Sequence, residues 1–263
     1  MADKETLYET RDGGITWIKV ILNCDTRFLR MKFNSQKKGY LLGSGAVLYE
    51  TTNTGKTWNR INLGFFKSHD AFYDIQFKGK DTCYIICGTP EHQNYILKTF
   101  DNGKTWSQLI VSEMCFSMTC SNDSTYYASG HSGVIKTSNC WKTYSVVSKQ
   151  SLQTITAIND TLLFGSYYKG LYVSKNGGKD WLKLHYFKDY GIGENFNTLS
   201  RILPLDNNYL FLCEERLFKS DINGNLSVCD LGRGVFEDFQ IMDKKTLYVI
   251  DSYSRFLTVK LAD

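Results

Sequence analysis

Thr99-Phe100-Asp101-Asn102-Gly103-Lys104-Thr105-Trp106 is the stretch from which the fold of this 263-residue chain can be read. The same pattern stands at Thr10-Arg11-Asp12-Gly13-Gly14-Ile15-Thr16-Trp17, and looser versions run from Thr51 through Asn53 to Trp58 and from Ser174 through Asn176 to Trp181. Two worn versions complete the set. One, Thr137-Ser138-Asn139-Cys140-Trp141-Lys142-Thr143-Tyr144, has Trp141 where the others have glycine, and the other begins at Ser220 and keeps only Gly224. The starts at 10, 51, 99, 137, 174 and 220 are separated by 41, 48, 38, 37 and 46 residues. A period of that size marks a propeller or a solenoid.

Each copy reads as strand, tight turn, strand. Serine, threonine, aspartate and asparagine side chains bond their own backbone and hold turns. The glycine accepts a positive φ without steric cost. The Thr-Trp pair starts a strand, and the indole is expected to cap a hydrophobic layer. An apolar pair precedes the copies, as in Leu7-Tyr8, Leu48-Tyr49, Ile96-Leu97 and Leu171-Tyr172.

The pattern resembles the Asp-box, or bacterial neuraminidase repeat, with Asp12, Trp17, Asn53, Trp58, Asp101, Trp106, Asn176 and Trp181 at its structural positions. That repeat occurs in sialidases, sortilin-type receptors, carbohydrate-active enzymes and the photosystem II assembly-factor family. The resemblance implies a β-propeller and says almost nothing about function.

Four short strands fit between successive turns, which gives an all-β chain of four-stranded antiparallel blades. A head of two strands (6–22) and a tail of three (235–261) are expected to share a sixth, five-stranded closing blade, because closure removes exposed sheet edges. The expectation is therefore a six-bladed propeller occupying residues 1–263 as one domain.

Composition agrees with a globular strand-built protein: 42% hydrophobic, 14% aromatic, only two prolines and a net charge of +4. That mild excess of charge does not point to nucleic acid. No run approaches the about 18 apolar residues of a membrane span. The start of the chain shows no apolar leader, so a cytoplasmic monomer is expected. Cys24, Cys83, Cys87, Cys115, Cys120, Cys140, Cys213 and Cys229 show no zinc-type spacing and read as reduced, mostly buried thiols. No metal and no cofactor are expected.

In propellers with this repeat, the Asp-box turns lie on one face and ligands bind the other. That second face is built from the loops joining the fourth strand of one blade to the first of the next, and the second strand to the third. Arg27, Arg201, Arg216, Arg233 and Arg255 fall on or beside those loops, with Glu214 among them. Guanidinium groups so placed suit carboxylate or phosphate recognition, although local acids could also pair with them. Phe65, Phe66, Phe72, Tyr73, Tyr167, Tyr168, Tyr186, Phe187 and Tyr190 form an aromatic half of the same face. Arginine and aromatic residues together suggest a protein partner with an acidic surface. The expected function is a non-enzymatic binding module, an assembly factor or an immunity-type inhibitor. The alternative is a glycan-binding or glycoside-hydrolysing protein. Against it, Arg201-Ile202-Leu203-Pro204 carries an inserted leucine relative to the Arg-Ile-Pro element of sialidases, and the rest of their catalytic set does not appear in order.

Overall fold

Alternating apolar residues between the turns become strands, and each group of four closes into an antiparallel sheet. The computed structural model of the protein describes residues 6–10, 12, 15–22, 28–45, 47–63, 70–88, 94–168, 170–186, 202–205, 208–213, 216–230, 236–243, 246–251 and 256–260. An N-terminal hairpin pairs β1 (Thr6–Glu9) with β2 (Ile18–Ile21). The first full sheet holds β3 (Phe28–Phe33), β4 (Gly39–Gly43), β5 (Val47–Thr51) and β6 (Asn59–Ile61). The second holds β7 (Ala71–Lys78), β8 (Thr82–Gly88), β9 (Asn94–Thr99) and β10 (Ser107–Val111). The third holds β11 (Ser117–Cys120), β12 (Tyr126–Gly130), β13 (Gly133–Thr137) and β14 (Ser145–Ser148). The fourth holds β15 (Thr154–Ala157), β16 (Leu163–Tyr167), β17 (Gly170–Ser174) and β18 (Leu182–Tyr186). The fifth holds β19 (Ile202–Leu205), β20 (Asn208–Cys213), β21 (Arg216–Asp221) and β22 (Leu226–Asp230). The C-terminal sheet holds β23 (Phe236–Asp243), β24 (Thr246–Asp251) and β25 (Phe256–Lys260).

Strand order within every sheet follows chain order, so the sheets are simple meanders. The first strands touch in series, β3 against β7, β7 against β11, β11 against β15 and β15 against β19, while β20 touches β23. This is the blade order of a propeller with the first strand of each blade innermost. The second and third strands are buried along their length, as in β4, β12 and β13, whereas the fourth strands are largely exposed. Core clusters lie between neighbouring sheets. Tyr40, Leu42 and Leu48 of the first pack with Phe72, Ile75 and Ile85 of the second, and Phe164 and Leu171 of the fourth with Ile202, Phe211 and Phe218 of the fifth.

The expected five-stranded closing blade differs in one respect. The hairpin and the C-terminal sheet supply five strands, but among the described residues no ladder joins β2 to β25. The hairpin is instead held through Leu7, which packs on the cluster of Leu22, Leu41, Val47 and Tyr49 beside the first sheet. Ile18 and Ile21 remain exposed.

The turns bond as the side chains dictate. Asp101 Oδ1 accepts from the Thr105 backbone N–H at 2.9 Å and from Thr99 Oγ1 at 2.8 Å, while Gly103 N–H donates to Thr99 Oγ1 at 2.9 Å. Asn53, Asn139 and Asn176 repeat the carboxylate's role with their amide oxygens. The worn copy at Ser220 keeps more than its glycine. Asp221 Oδ1 accepts from Asn225 N–H at 2.9 Å, the same four-residue clasp with asparagine as donor.

Capping by the motif tryptophan holds for Trp106 and Trp181, half-buried with their indole N–H groups bonded to Gly103 O and Gly178 O. Trp17 is exposed. The most buried indole belongs to the worn copy: Trp141 sits in the glycine slot at φ 58° and is fully buried beside Tyr126. There its N–H finds no acceptor among the described residues. A left-handed backbone costs a non-glycine residue about 1–3 kcal/mol, and burial of a large ring outweighs that.

Two predictions follow from the turns. Trp141→Gly relieves the backbone but empties the site, a loss of about 3–5 kcal/mol for a buried ring, so the melting temperature should fall. An unchanged or higher value would show that strain dominates. Hydrogen bonds from the Thr16 and Thr105 side chains, then from their backbone N–H groups, hold the Asp12 and Asp101 carboxyls at about 2 rather than the usual 3.8. A depressed carboxyl contributes stability above its unfolded value that disappears as pH falls through the folded one. Denaturant midpoints should therefore decline between about pH 4 and 2, and Asp101→Asn should flatten part of that decline. An identical profile for the variant would remove Asp101 from the effect.

Candidate functional site

An innermost strand has no partner on its axis side, so its backbone polar groups need other bonds. Forward-pointing side chains of the preceding blade supply them. Lys32 Nζ donates to Ile75 O at 3.1 Å and to Gln76 Oε1 at 2.8 Å, and Gln76 Nε2 donates onward to Met118 O at 2.6 Å. Met118 N–H donates to Asp74 Oδ2 at 2.8 Å. Ile155 N–H donates to Ser117 Oγ at 3.3 Å and Ala157 N–H to Thr119 Oγ1 at 3.0 Å. Thr156 Oγ1 donates to Ile202 O at 3.1 Å.

These side chains line a cavity of about 190 Å³ bounded by β3, β7, β11, β15 and β19, with Arg30, Lys32, Asp74, Gln76, Ser117 and Thr119 contributing most of its polarity. Arg30 Nε forms an ion pair with Asp74 Oδ1 at 3.8 Å, longer than a hydrogen bond.

The antiparallel order puts two loop sets at opposite ends of the blades. The turn motifs occupy the end of the third-to-fourth connections, and the other end carries the entry to each first strand. At that end five rings run across three blades. Tyr73 meets Phe116 at 5.2 Å, Phe116 meets His131 at 5.0 Å, His131 meets Tyr167 at 6.0 Å and Tyr167 meets Tyr168 at 4.5 Å, every pair edge to face. The ladder adjoins the cavity wall through the chain itself, since Tyr73 precedes Asp74, Phe116 precedes Ser117, and Tyr168 N–H bonds Gln153 Oε1, next to Thr154.

Local geometry fixes this edge. His131 sits at the tip of the link between Gly130 and Gly133. A side chain at Gly130 would collide with the backbone carbonyl of Met114 on the adjoining loop. Tyr168 is held at φ 49° and is 49% exposed, so a bulky ring is displayed at a position that glycine would fill more easily.

Of the expected contact residues, Tyr167 and Tyr168 join this ladder. Tyr73 joins it also, whereas Phe72 is fully buried in the core between the first and second sheets and offers no surface. Arg216 begins β21 at the expected end. Arg27, Phe65, Phe66, Phe187, Tyr190, Arg201, Glu214, Arg233 and Arg255 lie outside the described residues. Phe116, Arg30 and the cavity wall, on or next to first strands, were missed by attention to loops, and His131 was missed although it lies on one. The available signal was Phe28-Leu29-Arg30-Met31-Lys32-Phe33, a first strand with charges at alternate positions. Cys83, Cys87 and Cys115 are free and buried, and burial pushes their thiols up, away from reactivity. Among the described residues no three metal-ligating side chains cluster.

Meandering sheets in series, innermost first strands and a polar axial cavity define a β-propeller. Residues 14–116 match the family model described as Photosynthesis system II assembly factor YCF48. Over 115 residues the chain is 27% identical to the chloroplastic photosystem II stability/assembly factor HCF136 of Oryza sativa subsp. japonica, covering 42% of this chain and 26% of the relative. Over 66 residues it is 31% identical to the photosystem II assembly lipoprotein Ycf48 of Picosynechococcus sp., covering 25% of this chain and 19% of the relative. The chain thus spans about a quarter or less of the length of these curated relatives. The structure of YCF48 bound to D1 peptide superposes with a TM-score of 0.73 at 16% identity, covering 92% of this chain and 81% of that one. The fold is accordingly a β-propeller, and within it residues 14–116 are similar to photosystem II assembly factors.

The cytoplasmic expectation is overturned, because these relatives are a chloroplastic protein and a lipoprotein. The physical reason is that a folded domain's composition carries no address; compartment is set by segments that take no part in the core.

Tyr168→Gly tests whether the exposed ring serves the fold. The substitution should change stability by less than about 1 kcal/mol in thermal denaturation, since relaxation of the left-handed backbone offsets the lost edge-to-face contact with Tyr167. A clear fall in melting temperature would make Tyr168 a structural residue.

Proposed function

We propose that this chain is a non-enzymatic binding module of the assembly-factor kind, and that it holds a segment of another protein across the aromatic ladder at the mouth of the axial cavity. The observation that carries the reading is the ladder itself, five rings from Tyr73 to Tyr168 ending in an exposed tyrosine on a strained backbone. Exposed aromatic groups beside a polar cavity are the composition of protein-binding surfaces. The photosystem II assembly role of the matched relatives and the D1 peptide in the YCF48 structure support a protein segment as the occupant.

In this reading the chain works as one domain and as a monomer, and binds without turnover. Arg27, Arg201, Arg216, Arg233 and Arg255, with Glu214 among them, extend the contact toward an acidic partner surface. Phe65, Phe66 and Tyr190 add apolar area. The turn residues Asp101 and Trp106, at the opposite end, serve stability.

A fluorescently labelled D1 peptide should bind saturably in anisotropy titrations. Loss of a central aromatic contact of about 2 kcal/mol corresponds to more than tenfold weaker binding, which is expected for Tyr168→Ala. Arg216→Ala and Arg233→Ala should weaken binding most at low ionic strength. Trp106→Ala should lower the melting temperature and spare affinity below it. Absence of peptide binding, or steady cleavage of a sialoside or another glycoside by the purified protein, would overturn the proposal.

A further inference from the structure

The axial cavity has a chemical bias that the inter-blade bonds alone do not require. Its acceptors are committed. Asp74 Oδ1 takes the Ile75 N–H at 2.8 Å and Oδ2 takes the Met118 N–H, while Gln76 Oε1 takes Lys32 and the carbonyls of Ile75, Met118 and Ile202 take side-chain donors. Its donors are not. Arg30 Nε is buried without a hydrogen-bond partner. Ser117 and Thr119 are each 8% exposed and accept through oxygen from the next strand's N–H groups, and their hydroxyl protons meet no acceptor among the described residues. A hydroxyl that accepts one bond still has its proton to give. Among the described wall residues the charged groups are Arg30, Lys32 and Asp74, with Arg30 Nε 3.8 Å from Asp74 Oδ1 and Lys32 bonded to Ile75 O and Gln76 Oε1.

We infer that this cavity is a binding site for a single carboxylate group, seated on the Arg30 guanidinium and the Ser117 and Thr119 hydroxyls. A guanidinium and two hydroxyl donors with bonding capacity left, in a partly desolvated space, match a carboxylate. A guanidinium offers the fork that a carboxylate accepts. A phosphate dianion would bring two negative charges close to Asp74, at a cost that burial makes large. The volume of about 190 Å³ admits a carboxylate with a short carbon stem, well above the ~15 Å³ that one water needs. The carboxylate has two sources, a free short-chain acid or an acidic side chain or C-terminus of the docked segment. Only the second rests on the proposed function.

The first arm uses the wild-type protein with acetate and with acetamide, its uncharged isostere, in chloride buffer, followed by saturation-transfer NMR and thermal shift. Acetate should bind and raise the melting temperature, and acetamide should do neither. Arg30→Gln and Arg30→Lys, each checked for folding by circular dichroism, should weaken acetate tenfold or more, the lysine variant because it lacks the fork. Should both variants misfold, the acetate–acetamide contrast in the wild type still decides. The second arm compares the D1 peptide with versions whose carboxyl groups are amidated, singly at each side chain and at the C-terminus. One amidation that weakens binding at least tenfold in the wild type, but not in Arg30→Gln, assigns the source to the partner. Acetate binding with no peptide binding leaves the site standing and removes the proposed function. Peptide binding that ignores every amidation, together with acetate and acetamide behaving alike, overturns the inference and leaves the proposed function standing.

Discussion

The bond on which the rest of the structure depends runs from a polar side chain on one innermost strand to the backbone of the next. Lys32 to Ile75 O, Gln76 to Met118 O, Ile155 N–H to Ser117 Oγ, Ala157 N–H to Thr119 Oγ1 and Thr156 to Ile202 O form one series around the axis. Each satisfies a backbone group that the meander leaves unpaired at the sheet's inner edge, where an unmet bond costs about 1–3 kcal/mol. A hydrophobic axis could not do this. The polarity that joins the blades is therefore the same polarity that lines the cavity, so packing and the proposed site share one cause.

A second series works at the opposite end, between the turns and the preceding blade. Lys38 Nζ donates to Asn102 O at 2.7 Å and pairs with Glu50 at 2.8 Å, and Trp106 meets Tyr40 edge to face at 6.3 Å. One blade on, Lys98 Nζ donates to Trp141 O at 3.1 Å, and one further, Tyr127 Oη donates to Asp160 O at 3.0 Å. The repeated turn thus holds itself and its neighbour together. Its carboxylates and amides are fully used in that task, which is why the most regular part of the sequence is silent about function. The proposed binding surface lies at the other end, where the repeat is least regular.

Strand limits were legible almost throughout, because apolar alternation and turn residues act locally. The three strands Phe236–Asp243, Thr246–Asp251 and Phe256–Lys260 fall within the tail of three expected over 235–261. Trp141 and Asp221 were not. One fills a glycine slot and the other restores a clasp from a shifted position, and both depend on what the neighbouring strand presents. The aromatic half of the binding end was partly visible in Tyr73, Tyr167 and Tyr168. Phe72, adjacent in sequence to Tyr73, went to the core because a bulge at β7 sets the register there.

By itself the sequence determined an all-β chain of repeated strand–turn–strand units, since hydrogen bonds within eight residues and a two-residue apolar period need no distant partner. It also placed the turns, whose Thr99 and Asp101 side-chain oxygens are bonded within the turn itself. Only the tertiary structure decided that Arg30, Asp74, Ser117 and Thr119 face one cavity, and that Phe116 and His131 link Tyr73 to Tyr167. Those residues come from different repeats, some 40 positions apart. Their meeting depends on how one blade is rotated onto the next, a quantity set by inter-sheet packing and by the axial bonds rather than by any local stretch of chain.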